Sequence, residues 1–174
     1  MTPDLHGRLT RIRPFQEGDL TPDYIGWLND PEVVRYSNQR FRRHDVDSCR
    51  AYLASFAGSS NHFLSVRRAD DDRPVGTMTA YLQPHHGTAD VGIMIGARDV
   101  WGLGYGQDAW NQVLAWLLAR PDIRKVTAGT LACNTGMIRL AERSGMTLEG
   151  RRVGQEIVEG VPTDILYFAK FAHD

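Results

Sequence analysis

The chain of 174 residues is long enough to bury a hydrophobic core. With 42% hydrophobic and 24% charged residues it has the balance of an ordinary globular protein, expected as one domain over 1–174. A formal net charge of −1, from 20 basic and 21 acidic residues, argues against a nucleic-acid-binding protein. No run of 18 apolar residues predicts a membrane span, no signal segment is visible, and Cys49 and Cys133 lack metal-type spacing. We therefore expect a cytoplasmic protein with reduced thiols and with no nucleic-acid, membrane or metal partner.

Three helices are predicted near the N-terminus. Thr21 and Pro22 form a good N-cap and first-turn pair, so a helix is expected to begin there and to end at the Asn-Asp-Pro sequence that follows. A short second helix through Val33 and Tyr36 is expected next. Apolar residues three and four positions apart over 46–57 indicate a further amphipathic helix.

Strands are predicted wherever apolar residues alternate or run continuously between turn residues. Their expected ranges are 9–15, 62–68, 75–82, 89–96, 126–133, and two C-terminal strands around a turn at 159–162. A long helix that ends near Arg120 connects the strand at 89–96 to the one at 126–133, and a short helix at 135–145 follows. This order indicates an α/β fold with antiparallel meanders and one strand–helix–strand crossover.

The stretch WGLGYGQDAW (101–110) places three glycines directly before the long helix. The N–H groups of a first helical turn have no intrahelical partner, and glycines let an anion approach them closely. The spacing excludes a dinucleotide G-x-G-x-x-G loop, because Gln107 stands at the third-glycine position, and it excludes a P-loop, because no lysine follows. An anion-binding loop and a tight turn that packs the helix against the sheet both remain.

Downstream, 133-CNTGMIRLAERSGMTLEG-150 places an asparagine at a strand end, before a short helix and a Gly-Met pair. Together with WGLGYGQDA, the pattern N-x-x-x-x-x-L-A-E-x-x-G-M resembles motifs A and B of the GNAT superfamily of acetyl-CoA-dependent N-acetyltransferases. The opening LTRIRPFQEGDL and the WLNDPEV stretch are similar to the ribosomal-protein N-terminal acetyltransferase branch. The resemblance covers nearly the whole chain. It implies a mixed, mostly antiparallel, twisted sheet flanked by helices on both faces.

The resemblance also implies acetyl-CoA as a co-substrate, without a metal. In the family, the strand before the glycine loop binds the pantetheine arm through its backbone, and the loop binds the pyrophosphate. The matching residues are Ile93, Met94 and Ile95 on the strand, Trp101, Gly102, Leu103, Gly104, Tyr105 and Gly106 in the loop, and Asn134 and Arg143 beyond it. Valine at position 104 is expected to abolish acetyl-CoA binding and to leave the fold largely intact.

The implied reaction is direct attack of a primary amine on the thioester in a ternary complex. Asp90 matches the position of a Glu in many relatives and is the candidate general base, acting through a bridging water. A strand-edge charge without a catalytic role is the alternative for Asp90. His85 and His86 have a suitable intrinsic pKa but lie in a predicted hairpin. Neither proton donor typical of the family is present, because Ala141 stands at the Tyr position and Met137 at the Ser position.

The acceptor wall of the family comes mainly from the first helices and the last hairpin. The matching candidates are Trp27, Asn29, Arg35 and Tyr36, although aromatic residues at helical spacing also suit a core. The four arginines of RYSNQRFRR (35–43) can attract an acidic or phosphate-bearing acceptor, or form a solvated basic loop. A protein N-terminus, an amino sugar and other small amines remain open as acceptors, as do a monomer and a homodimer. Because the expected acids are missing, a CoA-binding regulatory or interaction module with little or no turnover is the alternative function.

Overall fold

A computed structural model describes residues 2–173 of the chain, and an eight-stranded sheet forms its centre. The strands are β1 (Leu5–His6), β2 (Thr10–Pro14), β3 (His62–Arg68), β4 (Pro74–Gln83), β5 (Thr88–Ile95), β6 (Lys125–Leu131), β7 (Thr147–Val158) and β8 (Val161–Phe171). The α-helices are α1 (Pro22–Leu28), α2 (Val46–Ala54), α3 (Tyr105–Leu118) and α4 (Thr135–Arg143). Short 3₁₀ helices lie at Glu17–Asp19, Asn38–Phe41 and Arg98–Val100.

The strand order across the sheet is β1-β2-β3-β4-β5-β6-β8-β7. Every neighbouring pair is antiparallel except β5 and β6. Those two strands are parallel because α3 returns the chain to the same end of the sheet before β6 begins, as a crossover connection requires. The crossover predicted from the sequence is thereby confirmed.

Helices cover both faces of the sheet, and each face has its own hydrophobic core. The larger core includes Trp110 and Leu117 of α3, which are almost completely buried. The smaller core joins α1 and α2 to the opposite face and contains Phe15, Tyr24, Leu28, Cys49 and Phe63. The predicted fold class, a mixed and mostly antiparallel sheet with helices on both faces, is confirmed.

One predicted element does not form, and one observed element was not predicted. The second helix through Val33 and Tyr36 does not form, because residues 31–37 make only successive turns before the 3₁₀ helix at Asn38–Phe41. Val34 is the one buried residue of that segment, so packing offers too little to offset the cost of nucleating a helix. Strand β1 was not predicted, because two residues are too few to show alternation, and it forms by pairing Leu5 with Ile12 of β2.

The local signals for helix ends act as the sequence indicates. The Thr21 side chain accepts a hydrogen bond from the Tyr24 N–H and begins α1. Gly145, at φ 78°, ends α4, and its N–H donates to the carbonyl of Glu142 while the Met146 N–H donates to that of Ala141. These two bonds form a Schellman motif, which turns the buried Met146 back towards the core. Among residues 2–173, Cys49 and Cys133 are unpaired, and no helix is both long and apolar enough to span a membrane.

Candidate functional site

The parallel strands β5 and β6 separate soon after they meet. They pair only from Thr88 with Lys125 to Asp90 with Thr127, although β5 continues to Ile95 and β6 to Leu131. Over residues 91–95, the edge of β5 that faces β6 has no strand partner in the part of the chain that the structure describes. Backbone N–H and C=O groups on such an edge need hydrogen-bonding partners. The gap is therefore a place where an extended ligand can bind to main-chain groups.

A cavity of about 920 Å³ opens at this gap, which is within the usual size range of small-molecule sites. Its wall combines parts of the fold that come from many places in the sequence. From β5 and β6 it takes Gly92, Ile93, Met94, Ile95, Gly129 and Thr130, and from the loop and α4 it takes Trp101, Asn134, Gly136, Met137 and Leu140. The three predicted pantetheine-binding positions, Ile93 to Ile95, thus share one cavity with Trp101 and Asn134.

The glycine loop presents unpartnered N–H groups at the start of α3. Gly102 and Gly104 have φ of 76° and 91°, in the left-handed region that glycine adopts without strain, and Gly104 is the N-cap. The first intrahelical bond runs from Asp108 N–H to Gly104 C=O, at 3.0 Å. No described residue accepts from the N–H groups of Tyr105 to Gln107. Three free donors at the positive end of a 14-residue helix suit a diphosphate.

The positive φ of Gly104 changes one expectation from the sequence. A β-carbon there meets only Leu9, at an ordinary 3.5 Å, so space is not the obstacle. Valine is nevertheless strained at φ 91°, because left-handed backbone is strongly disfavoured for β-branched residues. A Gly104→Val protein would therefore lose stability as well as binding, and the expectation of a largely intact fold is revised.

Asp108 fixes the first turn of α3 to strand β2, a role that the sequence did not indicate. Its Oδ2 accepts hydrogen bonds from the N–H of Leu9 at 3.1 Å, from the N–H of Thr10 at 2.9 Å and from the Thr10 hydroxyl at 2.7 Å. Gln112, one turn later, also donates to Thr10 and to Asp108. This network places the helix start opposite the β5 edge. The sequence does show an acidic residue in the first turn of a helix. It does not show the partners of Asp108, which lie about 100 positions away in the sequence.

Asn134 and Arg143 lie at opposite ends of α4. The Asn134 Oδ1 caps the helix by accepting from the Met137 N–H at 3.2 Å, and the residue lines the cavity. Its side-chain NH₂ has no partner among the described residues and is available to a ligand. Arg143 is exposed in the last turn, about 13–14 Å further along the helix axis at about 1.5 Å per residue. The structure brings Asn134, but not Arg143, to the cavity.

Asp90 lies where β5 and β6 begin to separate. Thr127 Oγ1 donates a 2.7 Å hydrogen bond to its Oδ1, and Tyr81 stands directly opposite on β4. Although part of the residue is exposed, burial of the carboxyl raises the pKa of Asp90, and the bond from Thr127 lowers that pKa in part. Asp90 is two strand positions from the cavity-lining Gly92, a step of about 6–7 Å. That distance suits contact with the cavity through a water.

The predicted acceptor residues fall into two groups. Arg35 and Tyr36 line the cavity, whereas Trp27 and Asn29 are not among the described residues of its wall. The Trp27 indole lies so close to Gly96 that no β-carbon fits there. Both ends of the Asn29 amide bond to the backbone of His44, at 2.8 Å each, so this side chain holds the chain between α1 and α2 in place.

None of the residues considered as acids or alternative bases offers a proton-transferring group to the cavity. Ala141 is fully buried, Met137 lines the wall without a proton to donate, and His85 and His86 are exposed in the β4–β5 turn. The cavity does contain Tyr52 and Tyr81, whose hydroxyls lie 2.6 Å apart. Their proximity was not predicted from the sequence.

The family model for a GNAT acetyltransferase domain matches residues 9–147, which include the splayed strands, the glycine loop and α4. The chain belongs to the GNAT acetyltransferase family. The resemblance inferred from WGLGYGQDA and the asparagine motif is thereby confirmed, as is the expectation of an acetyl-CoA-dependent acyltransferase. No curated protein sequence matches this GNAT chain.

Several solved GNAT structures share the fold at low sequence identity. An acetyltransferase of the GNAT family from Bacillus anthracis has a TM-score of 0.82 at 19% identity, with 100% of both chains covered. RimL, a ribosomal alpha-N-protein acetyltransferase in complex with coenzyme A, has a TM-score of 0.82 at 14% identity over 94% of each chain. Spermidine N-acetyltransferase from Vibrio cholerae, in complex with CoA and spermine, has a TM-score of 0.82 at 18% identity, with 94% of this chain and 96% of its own chain covered. At such identities the likeness establishes the fold alone.

Proposed function

We propose that this GNAT protein transfers the acetyl group of acetyl-CoA to a primary amine of a small molecule or peptide, by direct attack in a ternary complex. The observation that supports this most is the separation of β5 from β6 beyond Asp90 and Thr127, beside the unpartnered N–H groups of α3. The extended pantetheine arm of acetyl-CoA needs a free strand edge, and its diphosphate needs free N–H groups next to that edge. Bound acetyl-CoA supplies a thioester, which a neutral amine attacks without further activation.

The residues proposed to hold acetyl-CoA use mainly their backbone. The free edge of β5 at Ile93 offers hydrogen bonds to the pantetheine amides, whereas Met94, opposite Thr77 of β4, contributes to the wall. Where the loop at 101–106 meets α3, the free N–H groups of Tyr105 to Gln107 are offered to the diphosphate. The carbonyl of Ile95 already accepts a 2.7 Å bond from Trp101, so Ile95 contributes chiefly as part of the wall. The Asn134 side chain supplies an additional donor from the other side of the gap.

Asp90 is proposed as the general base, acting through a water that bridges to the acceptor ammonium. A carboxyl whose pKa is raised by burial is a better proton acceptor near neutral pH than an ordinary aspartate. A backbone N–H of the free β5 edge is suited to stabilise the oxyanion. With Ala141 and Met137 at the positions of the usual donors, water protonates the departing thiolate, which is an easy step for a thiol with a pKa of about 8.5.

The test separates binding from turnover. Calorimetry with acetyl-CoA measures the first, and release of free thiol in the presence of a panel of primary amines measures the second. We expect tight binding and thiol release that depends on both the amine and the protein. Tight acetyl-CoA binding with no thiol release on any amine would instead support the alternative, a CoA-binding regulatory or interaction module, which the missing proton donors favour.

A further inference from the structure

The chain between α1 and α2 brings a group of basic side chains to one wall of the cavity. Arg35, Arg42, Arg43 and His44 all line it. Glu32 is the one carboxylate among the described residues of the same wall. This wall therefore has an excess of positive charge, although the whole chain is almost neutral.

The first of these arginines is already occupied. The Arg35 Nε lies 3.0 Å from Glu159 Oε1 in the β7–β8 turn, and its guanidinium lies over the Tyr36 ring. Arg40, in the same segment, donates to the carbonyls of Ser37 and Ile157. These contacts fasten the segment to the last hairpin, so the wall that carries the other arginines is held in place.

Arg42 and Arg43 are different, because their side chains are exposed and make no hydrogen bond or ion pair with any described residue. The carboxylate nearest to Arg43 in sequence is that of Asp45, which caps α2 by accepting from the Ser48 N–H at 2.8 Å. Arg43 acts on Asp45 only through its charge, as the weakest of the influences that lower the pKa of Asp45. Two arginines that are adjacent in the sequence and line the same cavity are thus left without a bonded anion.

A guanidinium forms paired hydrogen bonds with phosphate oxygens, and two neighbouring ones match a dianion better than a single carboxylate. Asp90, the proposed general base, lies two positions along β5 from the cavity-lining Gly92, and the ammonium of the acceptor is expected near it. On the basis of the proposed function, we infer that the acceptor is a small primary amine whose other end carries a phosphate group bound by Arg42 and Arg43. The same charges disfavour a polyamine, since the wall offers one carboxylate against three guanidinium groups.

The inference is tested by equilibrium binding to the CoA-saturated protein, which does not require turnover. Two matched pairs of probes are titrated by calorimetry: glucosamine 6-phosphate against glucosamine, and phosphoethanolamine against ethanolamine. We expect the phosphorylated member of at least one pair to bind about tenfold more tightly, as charge-assisted bonds to exposed arginines allow. The preference should shrink as the salt concentration rises, because exposed charges are screened. In the double variant Arg42→Ala/Arg43→Ala the preference should disappear, whereas Arg50→Ala, on the exposed surface of α2, should keep it.

Several results would overturn the inference. Equal binding within both pairs, tighter binding of spermidine, or a phosphate preference that survives the double variant would each do so. Tighter binding of a peptide with an acidic N-terminus than of either phosphorylated probe would assign the two arginines to a protein acceptor. An acetyl-CoA affinity reduced tenfold in the double variant would assign them to the cofactor. Failure of the proposed function is a separate result, since it appears as an absence of thiol release with every amine.

Discussion

The Trp101 indole Nε1 donates a 2.7 Å hydrogen bond to the carbonyl oxygen of Ile95, so the glycine loop is tied to the end of β5. The bond joins the two parts of the chain that are proposed to hold acetyl-CoA, namely the free strand edge and the start of α3. The Trp101 ring lines the cavity, and the Arg98 guanidinium lies over it. A residue expected as part of the diphosphate loop therefore also sets the position of that loop relative to the strand.

Replacement of Trp101 by Phe keeps an aromatic ring and removes the indole N–H. We expect a loss of about 1 kcal/mol in the free energy of unfolding, measured with urea, and an acetyl-CoA affinity reduced severalfold. Trp116→Phe is the matched control, because Trp116 lies on the far part of α3 against His62. If Trp101→Phe lowers stability and leaves acetyl-CoA affinity unchanged, the bond to Ile95 has no part in cofactor binding.

The cofactor loop is best tested at Gly106, where φ is not positive. A β-carbon at this position meets Ile95 at 3.5 Å and Leu140 at 3.7 Å, both ordinary contacts with the cavity wall. Gly106→Ala should retain acetyl-CoA binding and melt at the same or a higher temperature, since alanine favours helix. Gly106→Val should weaken acetyl-CoA binding at least tenfold, because its extra methyl groups fill the gap between β5 and α4. Equal affinities of the two variants in calorimetry would place the cofactor elsewhere.

Asp108→Asn tests the attachment of α3 to β2. The asparagine oxygen can take the place of Oδ2 and accept from Leu9 and Thr10, but its NH₂ group then faces the Arg8 N–H that Oδ1 accepts from, and the charge that strengthens all these bonds is lost. We expect the free energy of unfolding to fall by about 1–3 kcal/mol. Asp122→Asn removes a carboxylate from an exposed ion pair with Arg120 and should cost less than about 1 kcal/mol. Similar losses in both variants, measured by urea unfolding, would contradict the anchoring role.

Asp90→Asn tests the general base. We expect kcat to fall about 10²-fold or more near neutral pH, with acetyl-CoA affinity unchanged. In the wild type the rate should fall on the acidic side as Asp90 takes up a proton, at a higher pH than for an ordinary aspartate, because burial raises the pKa of Asp90. Thr127→Val removes the bond that lowers this pKa, so the acidic fall should move to still higher pH. If the decrease in rate at low pH occurs at the same pH in the Thr127→Val variant, that decrease is not caused by protonation of Asp90.

The same carboxyl affects stability with a definite sign. Its folded-state pKa is raised, so its contribution to stability is present at low pH and is lost as the pH rises through the folded-state pKa. Asp90→Asn, which cannot ionise, should therefore be more stable than the wild type above that pH and should match it most closely in acid. Urea unfolding at several pH values measures this difference. If the Asp90→Asn variant is less stable than the wild type at neutral pH, burial does not destabilise the charged form of Asp90.

The features that the sequence determined by itself are local ones. Thr21 and Pro22 specify the start of α1, and Gly145 specifies the end of α4, because caps and left-handed turns depend on a few adjacent residues. The glycine loop before α3 was predictable for the same reason. Together, the glycine loop and the motif from Asn134 to Met146 were sufficient to indicate the family. The segment through Val33 and Tyr36 was predicted wrongly, since its helical spacing is not supported by burial.

The cavity, in contrast, depends on contacts between distant parts of the chain. The point where β5 and β6 separate is set by their register at Asp90 and Thr127, and no local pattern encodes that register. The pairing of Tyr52 with Tyr81, and the placement of Arg42 and Arg43 rather than Trp27 at the cavity wall, likewise follow from packing across the sheet. Local propensities thus determined the elements and their ends. Only the tertiary structure decided which side chains face the acceptor, because that choice depends on strand register and burial rather than on neighbouring residues.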